Sequence, residues 1–168
     1  MKKIFLAALL FSFAFANAQM PEVSRDANGS KTIKGFLTHE QLATDTAFSW
    51  FVKNQTMFPP DETLVSALKK HRDSIHILAF GGTWCEDTQM VLPQFFANVK
   101  EAGFPDDHIT LLGVDRDKKT LHHLSEAFNV TLVPTFIVMK DGKEVGRVVE
   151  YGQTGLPVKE LGEIISKL

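Results

Sequence analysis

The spacing of apolar residues switches several times between helical and extended periods along the 168-residue chain. After Thr38, the residues Leu42, Ala43, Ala47, Trp50 and Phe51 recur at helical intervals, and Gln41 stands three positions beyond Thr38 as in a capping box. The pattern predicts a helix from Thr38 that ends across residues 54–60. Asp61 then reads as the cap of a second helix, with Leu64, Val65 and Leu68 on one face and Lys69, Lys70 and Arg72 near its end. From there, short apolar runs predict strands at 75–80, 109–114, 135–139 and 145–149. Helical spacing predicts helices at 85–102 (closed by Gly103), 120–128 and 157–168. Lys140-Asp141-Gly142-Lys143 reads as a hairpin turn of the Asp-Gly kind. The polar, turn-rich stretch 19–35, with Pro21, Asn28-Gly29-Ser30 and Gly35, predicts a loosely held leader with room for one short strand. A βαβ stretch followed by a ββα stretch implies an α/β fold with a mixed central sheet and helices on both faces.

The first residues change this picture. Lys2 and Lys3 precede an apolar run from Ile4 to Phe15 broken only by Ser12, and Ala16-Asn17-Ala18 has the small-x-small form of a cleavage site. Residues 1–18 are expected to be a secretory signal peptide, cleaved after Ala18, because the apolar run is short for a bilayer span. Its removal leaves one domain's length of chain. The loss of Lys2 and Lys3 takes the formal charge from −2 to −4. That balance argues against nucleic-acid binding, and no later segment predicts membrane insertion. The expected location is periplasmic or secreted. The expected organisation is a signal peptide at 1–18, a leader with a helical extension at 19–73, and a main domain at 74–168.

Cys85 is the only cysteine. In an oxidising compartment structural cysteines pair, so a single one is either inert or kept for its reactivity. Cys85 follows the strand at 75–80 and opens the helix at 85–102, where free N–H groups and the helix dipole favour a thiolate. Thr88, one turn on, can turn its hydroxyl back toward the sulfur. Glu86 and Asp87 suit the helix start but oppose a further negative charge beside them. These two carboxylates and Thr88 are therefore the expected tuning groups.

Four local features now converge. Trp84-Cys85-Glu86-Asp87-Thr88 resembles the tryptophan-cysteine-x-x-cysteine site of thioredoxins, with Thr88 in place of the second cysteine. Pro93 lies eight residues after Cys85, where that family has a helix-kinking proline. Val133-Pro134-Thr135 resembles its cis-proline segment, and Lys140-Asp141-Gly142-Lys143 its hairpin. From about Ile75 to Leu168 the chain resembles the thioredoxin-like superfamily, and within it exported bacterial single-cysteine proteins. The resemblance implies a three-layer α/β/α sandwich with an N-terminal helical extension. It also implies that Pro134 is cis and faces Cys85, that the Val133 backbone pairs with an extended peptide, and that Trp84 shields one side of the sulfur. The family's buried acid, six residues before its first cysteine, is Ala79 here, and the resolving cysteine is absent. Ordinary dithiol reduction is therefore not expected.

The expected function is thiol–disulfide exchange through Cys85 as nucleophile, by mixed disulfides with protein or low-molecular-weight thiols. The alternative is a non-catalytic, chaperone-like binding module that uses the groove at Pro134. A peroxidase reading fails at Gly82, where peroxiredoxins carry threonine. A free thiol also makes a Cys85-linked dimer conceivable. No cofactor is predicted. The six histidines (His39, His71, His76, His108, His122, His123) lack metal-site spacing, so no metal site is predicted. Asp115-Arg116-Asp117 follows a strand at the end where ligands bind in such sheets. It reads as a solvated loop or, alternatively, as a substrate contact by Asp115 or Arg116. Phe80, Phe95, Phe96, Phe128, Phe136 and Met90 are expected in the core. Phe48, Trp50, Phe51 and Phe58 are expected to pack the extension onto the domain.

Overall fold

The computed structural model describes residues 20–168, so the expected signal peptide lies outside the described residues. Six strands form one sheet in the order β1-β2-β4-β3-β5-β6. The strands are β1 (Glu22–Arg25), β2 (Lys31–Leu37), β3 (His76–Gly81), β4 (Ile109–Gly113), β5 (Thr135–Lys140) and β6 (Lys143–Val149). Only β3 and β4 run parallel; every other pairing is antiparallel. The helices are α1 (His39–Thr44), α2 (Trp50–Gln55), α3 (Glu62–His71), α4 (Glu86–Ala102), α5 (Leu124–Ala127) and α6 (Pro157–Ser166). Among the described residues no helix is long and apolar enough to cross a membrane.

Alternation along the strands divides the core in two. Ile77 and Ala79 of β3, with Phe136 and Val138 of β5, join a large cluster with Phe51, Leu64, Leu68, Phe95, Phe96, Leu161 and Ile165. Their neighbours Phe80 and Ile137 join a smaller cluster with Leu112, Val114, Val130 and Val133. The first is covered by α1 to α4 and α6 and the second by the short turns around α5, so the two helical layers are unequal.

The segment before Leu37 is not the loose leader expected from its polarity. It is a hairpin, and β2 pairs with β4 inside the sheet, Phe36 opposite Leu112. Its turn is built by Asp26, whose Oδ1 accepts from Asn28 N at 3.0 Å and Ser30 N at 2.9 Å. The predicted first helix breaks in two. Thr38 and Gln41 form the capping box of α1, but Asp45 then caps a separate short turn through Ala47 N and pairs with Lys31. Phe48 and Phe51 are nevertheless fully buried, while Phe58 is half exposed. Met90, expected in the core, is only half-buried.

The helix expected at 120–128 is likewise reduced to a 3-10 turn at Leu121–His123 followed by α5. His122 and His123 both adopt left-handed backbone, at φ 55° and 56°. Bonds from Thr120 hold the start of this segment. The Thr120 hydroxyl donates to Gly113 O at 2.8 Å, and Thr120 N donates to Ser125 Oγ at 3.2 Å. Leu121 reaches over Gly35 of β2, where a Cβ would lie 2.6 Å from Leu121 Cδ1.

One detail ties the N-terminal helices to α4. Pro93 sits inside α4 and cannot donate to Gln89 O. Asn54 of α2 supplies the missing donor, its Nδ2 reaching Gln89 O at 2.9 Å. Asn98, five residues on, accepts from Asp61 N at 2.7 Å, just where Asp61 caps α3.

Candidate active site

β3 ends at Gly81, and the chain turns through Gly82-Thr83-Trp84 before α4 begins. Cys85 is the N-cap residue of α4, half-buried, with extended backbone at φ −91° and ψ 124°. Buried bonds hold this turn from three directions. Thr83, 5% exposed, donates from its hydroxyl to Lys31 O at 2.9 Å and accepts from Ile33 N at 3.3 Å. Gln89 Nε2 donates to Thr83 O at 2.9 Å, and Cys85 N donates to Gly82 O at 2.9 Å. Thr88, 1% exposed, accepts at Oγ1 from Gly82 N at 3.2 Å. The hydroxyl expected to face the sulfur therefore bonds to the turn itself.

The sulfur's hydrogen bond goes elsewhere. Cys85 Sγ donates to Val133 O at 3.4 Å. The Val133–Pro134 peptide bond is cis. The Val133 and Pro134 side chains are buried, and Leu132 beside them is 44% exposed. Among the described residues Val133 N makes no backbone hydrogen bond, whereas Pro134 O accepts from Glu150 N at 2.7 Å. Thr135 Oγ1 closes the segment by donating to Leu132 O at 2.7 Å. Any pairing with a peptide at this point would thus use the Val133 backbone, not its side chain.

Trp84 is half-buried and is fixed through Nε1, which donates to Val114 O at 3.0 Å. The loop after β4 folds over its ring. The Arg116 guanidinium lies 5.1 Å and the Lys118 ammonium 5.7 Å from the ring centroid. Arg116 also pairs with Asp26 at 2.8 Å. Asp115 turns away, accepting from Asp117 N and Lys119 N and pairing with Lys34 at 3.1 Å. Burial alone would raise its carboxyl, but these bonds hold it below the usual carboxylate range. Of the two readings of this loop, the structure thus brings Arg116 to Trp84 and leaves Asp115 with the sheet.

Glu86 and Asp87 occupy the first turn of α4, favourably for the helix dipole. Near Asp87 stands Tyr151, the chain's only tyrosine and 42% exposed. Burial, the neighbouring Asp87 carboxylate and the negative charges of Cys85 and Glu150 together push its phenol above the usual range. Glu160 holds the Tyr151 loop: its carboxylate accepts from Gln153 N at 2.9 Å, from Thr154 N and from the Thr154 hydroxyl. Gly152, at φ 71°, makes room for it, since a Cβ there would meet Glu160 Oε2 at 2.4 Å. Tyr151 and Lys118 escaped the sequence reading because both lie in loops without periodicity. Their only signal was position just beyond strand ends on the side of the sheet where Cys85 sits. Among the described residues no three metal-ligating groups come together.

Comparison with known proteins places the chain in a family. A family model described as Thioredoxin matches residues 56–161, a span that contains Cys85, Thr88 and Pro134. Thioredoxin H2 of Arabidopsis thaliana is 31% identical over 99 residues, 59% of this chain and 66% of that protein, so the chain spans just under two thirds of it. The thioredoxin of Chlamydia trachomatis is 36% identical over 92 residues, 54% of this chain and 79% of that protein. A solved protein of unknown function from Pseudomonas aeruginosa is 16% identical, covers 79% of this chain and 89% of its own, and superposes with a TM-score of 0.51, a likeness of fold alone. The two thioredoxins support a thiol–disulfide redox role in general terms. With more than half of its length matched by the family model, the chain belongs to the thioredoxin family.

Proposed function

We propose that this chain is an exported monothiol exchange protein that acts through Cys85. The observation that carries the reading is the sulfur of the sole cysteine lying 3.4 Å from Val133 O, beside the cis Val133–Pro134 bond, at the N-terminus of α4. As a thiolate, Cys85 attacks one sulfur of a partner disulfide. A new Cys85–sulfur bond forms, the partner's S–S bond breaks, and the leaving sulfur departs with the electron pair. With Thr88 where a second thiol would stand, the mixed disulfide is resolved by an external low-molecular-weight thiol. That thiol attacks the partner's sulfur and returns Cys85 as thiolate. Thr88 and Thr83 keep the turn in place, and the Val133 backbone receives the partner's extended segment. The leader-like residues 1–18 support export. N-terminal sequencing of secreted material should begin at Gln19; material beginning at Met1 overturns export by cleavage.

The test is turnover of bis(2-hydroxyethyl) disulfide with reduced glutathione. The full chain accelerates the exchange and Cys85→Ser abolishes the acceleration. A chain no faster than glutathione alone overturns the exchange reading. The binding module would then be supported if Cys85→Ser held unfolded polypeptide as well as the native chain.

A further inference from the structure

The surroundings of Cys85 are electrically lopsided. On the Trp84 side, Arg116 and Lys118 set two cations within 6 Å of the indole centroid. Asp26 engages Arg116, but Lys118 has no ion pair among the described residues. Lys118 holds its place through left-handed backbone at φ 61°, within the turn that Asp115 ties together. After Cys85 come Glu86 and Asp87 in the first turn of α4, and the negative charges of Asp87 and Glu150 both act on the Tyr151 phenol. Asp117, exposed in the same loop as the two cations, is the one carboxylate there not bound to a cation among the described residues. Charges of opposite sign around one nucleophile orient and select a charged partner more than they tighten its binding.

We propose that Arg116 and Lys118 make this site selective for disulfides that carry a carboxylate close to the sulfur, with that carboxylate seated against the Trp84 side. The inference rests on the exchange reading above. The carboxylate meets Lys118 and the outer edge of Arg116, while Asp87 and Glu150 repel it. This places the disulfide in one direction across Cys85. The chemistry of the step is unchanged: the Cys85–sulfur bond forms, the partner's S–S bond breaks, and the carboxylate-bearing thiolate leaves with the electron pair.

The experiment compares three small disulfides on the full chain: 3,3′-dithiodipropionate (anionic), bis(2-hydroxyethyl) disulfide (neutral) and cystamine (cationic). The readout is the rate of mixed-disulfide formation at Cys85, taken as ratios to the neutral probe. The native chain favours the anionic over the cationic probe, and the double variant Arg116→Gln/Lys118→Gln lowers the anionic-to-neutral ratio about threefold to tenfold. Arg116→Lys/Lys118→Arg, which keeps both charges, retains the ratio. Added salt flattens the preference of the native chain, because the cations are partly solvent-exposed. A double-variant ratio within about twofold of native, or a native chain that prefers cystamine, overturns the charge selectivity alone. Failure of the neutral probe to react at all overturns the exchange reading beneath it.

Discussion

The turn that carries Cys85 and the loops that frame it are built by opposite means. The turn is tied by side-chain hydrogen bonds, buried or part-buried: Thr83 to two backbone groups of β2, Gln89 to Thr83, and Gly82 to Thr88. The framing loops are held by partly exposed charges: Arg116 on Asp26, Glu160 on the amides of 153 and 154. A buried polar group that loses its partner costs far more than an exposed ion pair returns. The nucleophile therefore sits on a rigid mount, while its rim can change sequence and charge with little effect on the fold.

Breaking the mount should give the largest effect. Thr83→Val removes a donor and an acceptor at a 5% exposed position, and should lower stability by about 3 kcal/mol in urea titration while slowing exchange at Cys85. Asn54→Ala leaves Gln89 O without the donor that replaces the one Pro93 lacks. It should cost about 1–2 kcal/mol, read as a lower urea midpoint at unchanged slope.

The rim should respond more weakly, and partly through pH. Hydrogen bonds from the Thr154 hydroxyl and from the amides of 153 and 154 hold the Glu160 carboxyl below its usual range. The folded chain thus binds fewer protons there than the unfolded chain does. The resulting stability is complete above the usual carboxylate range and is lost as the pH falls through it toward the lowered folded value. Glu160→Gln should remove that part of the acid slope of Tm. The smallest effect is expected from Arg116→Ala, whose exposed pair with Asp26 should change stability by less than about 1 kcal/mol.

What the sequence disclosed follows from how local each feature is. The α3 cap at Asp61, the capping box of Thr38 and Gln41, and the Asp141-Gly142 turn depend on neighbours a few residues away. All of these could be read directly. The hairpin of β1 and β2 could not, because its stability comes from pairing with β4 some 75 residues further on. The chain from Thr120 reads as helix by its spacing, yet the Thr120 bond to Gly113 and the Leu121 contact over Gly35 turn it into a kinked pair of turns. The site divides the same way. Cys85 at the start of α4 could be read from a strand followed by a helix. The bond from Gly82 N to the Thr88 hydroxyl, the approach of Tyr151 to Asp87 and the arrival of Arg116 and Lys118 over Trp84 depend on tertiary contacts that leave no periodic trace.

The central claim is that Cys85 is a working thiol and not a buried remnant. The most direct measurement is intact-protein mass spectrometry of the full chain, exposed briefly to bis(2-hydroxyethyl) disulfide and quenched in acid. The account predicts one mercaptoethanol adduct, located on Cys85, absent from Cys85→Ser and removed by reduced glutathione. A chain that stays unmodified, or an adduct that glutathione cannot remove, would contradict it.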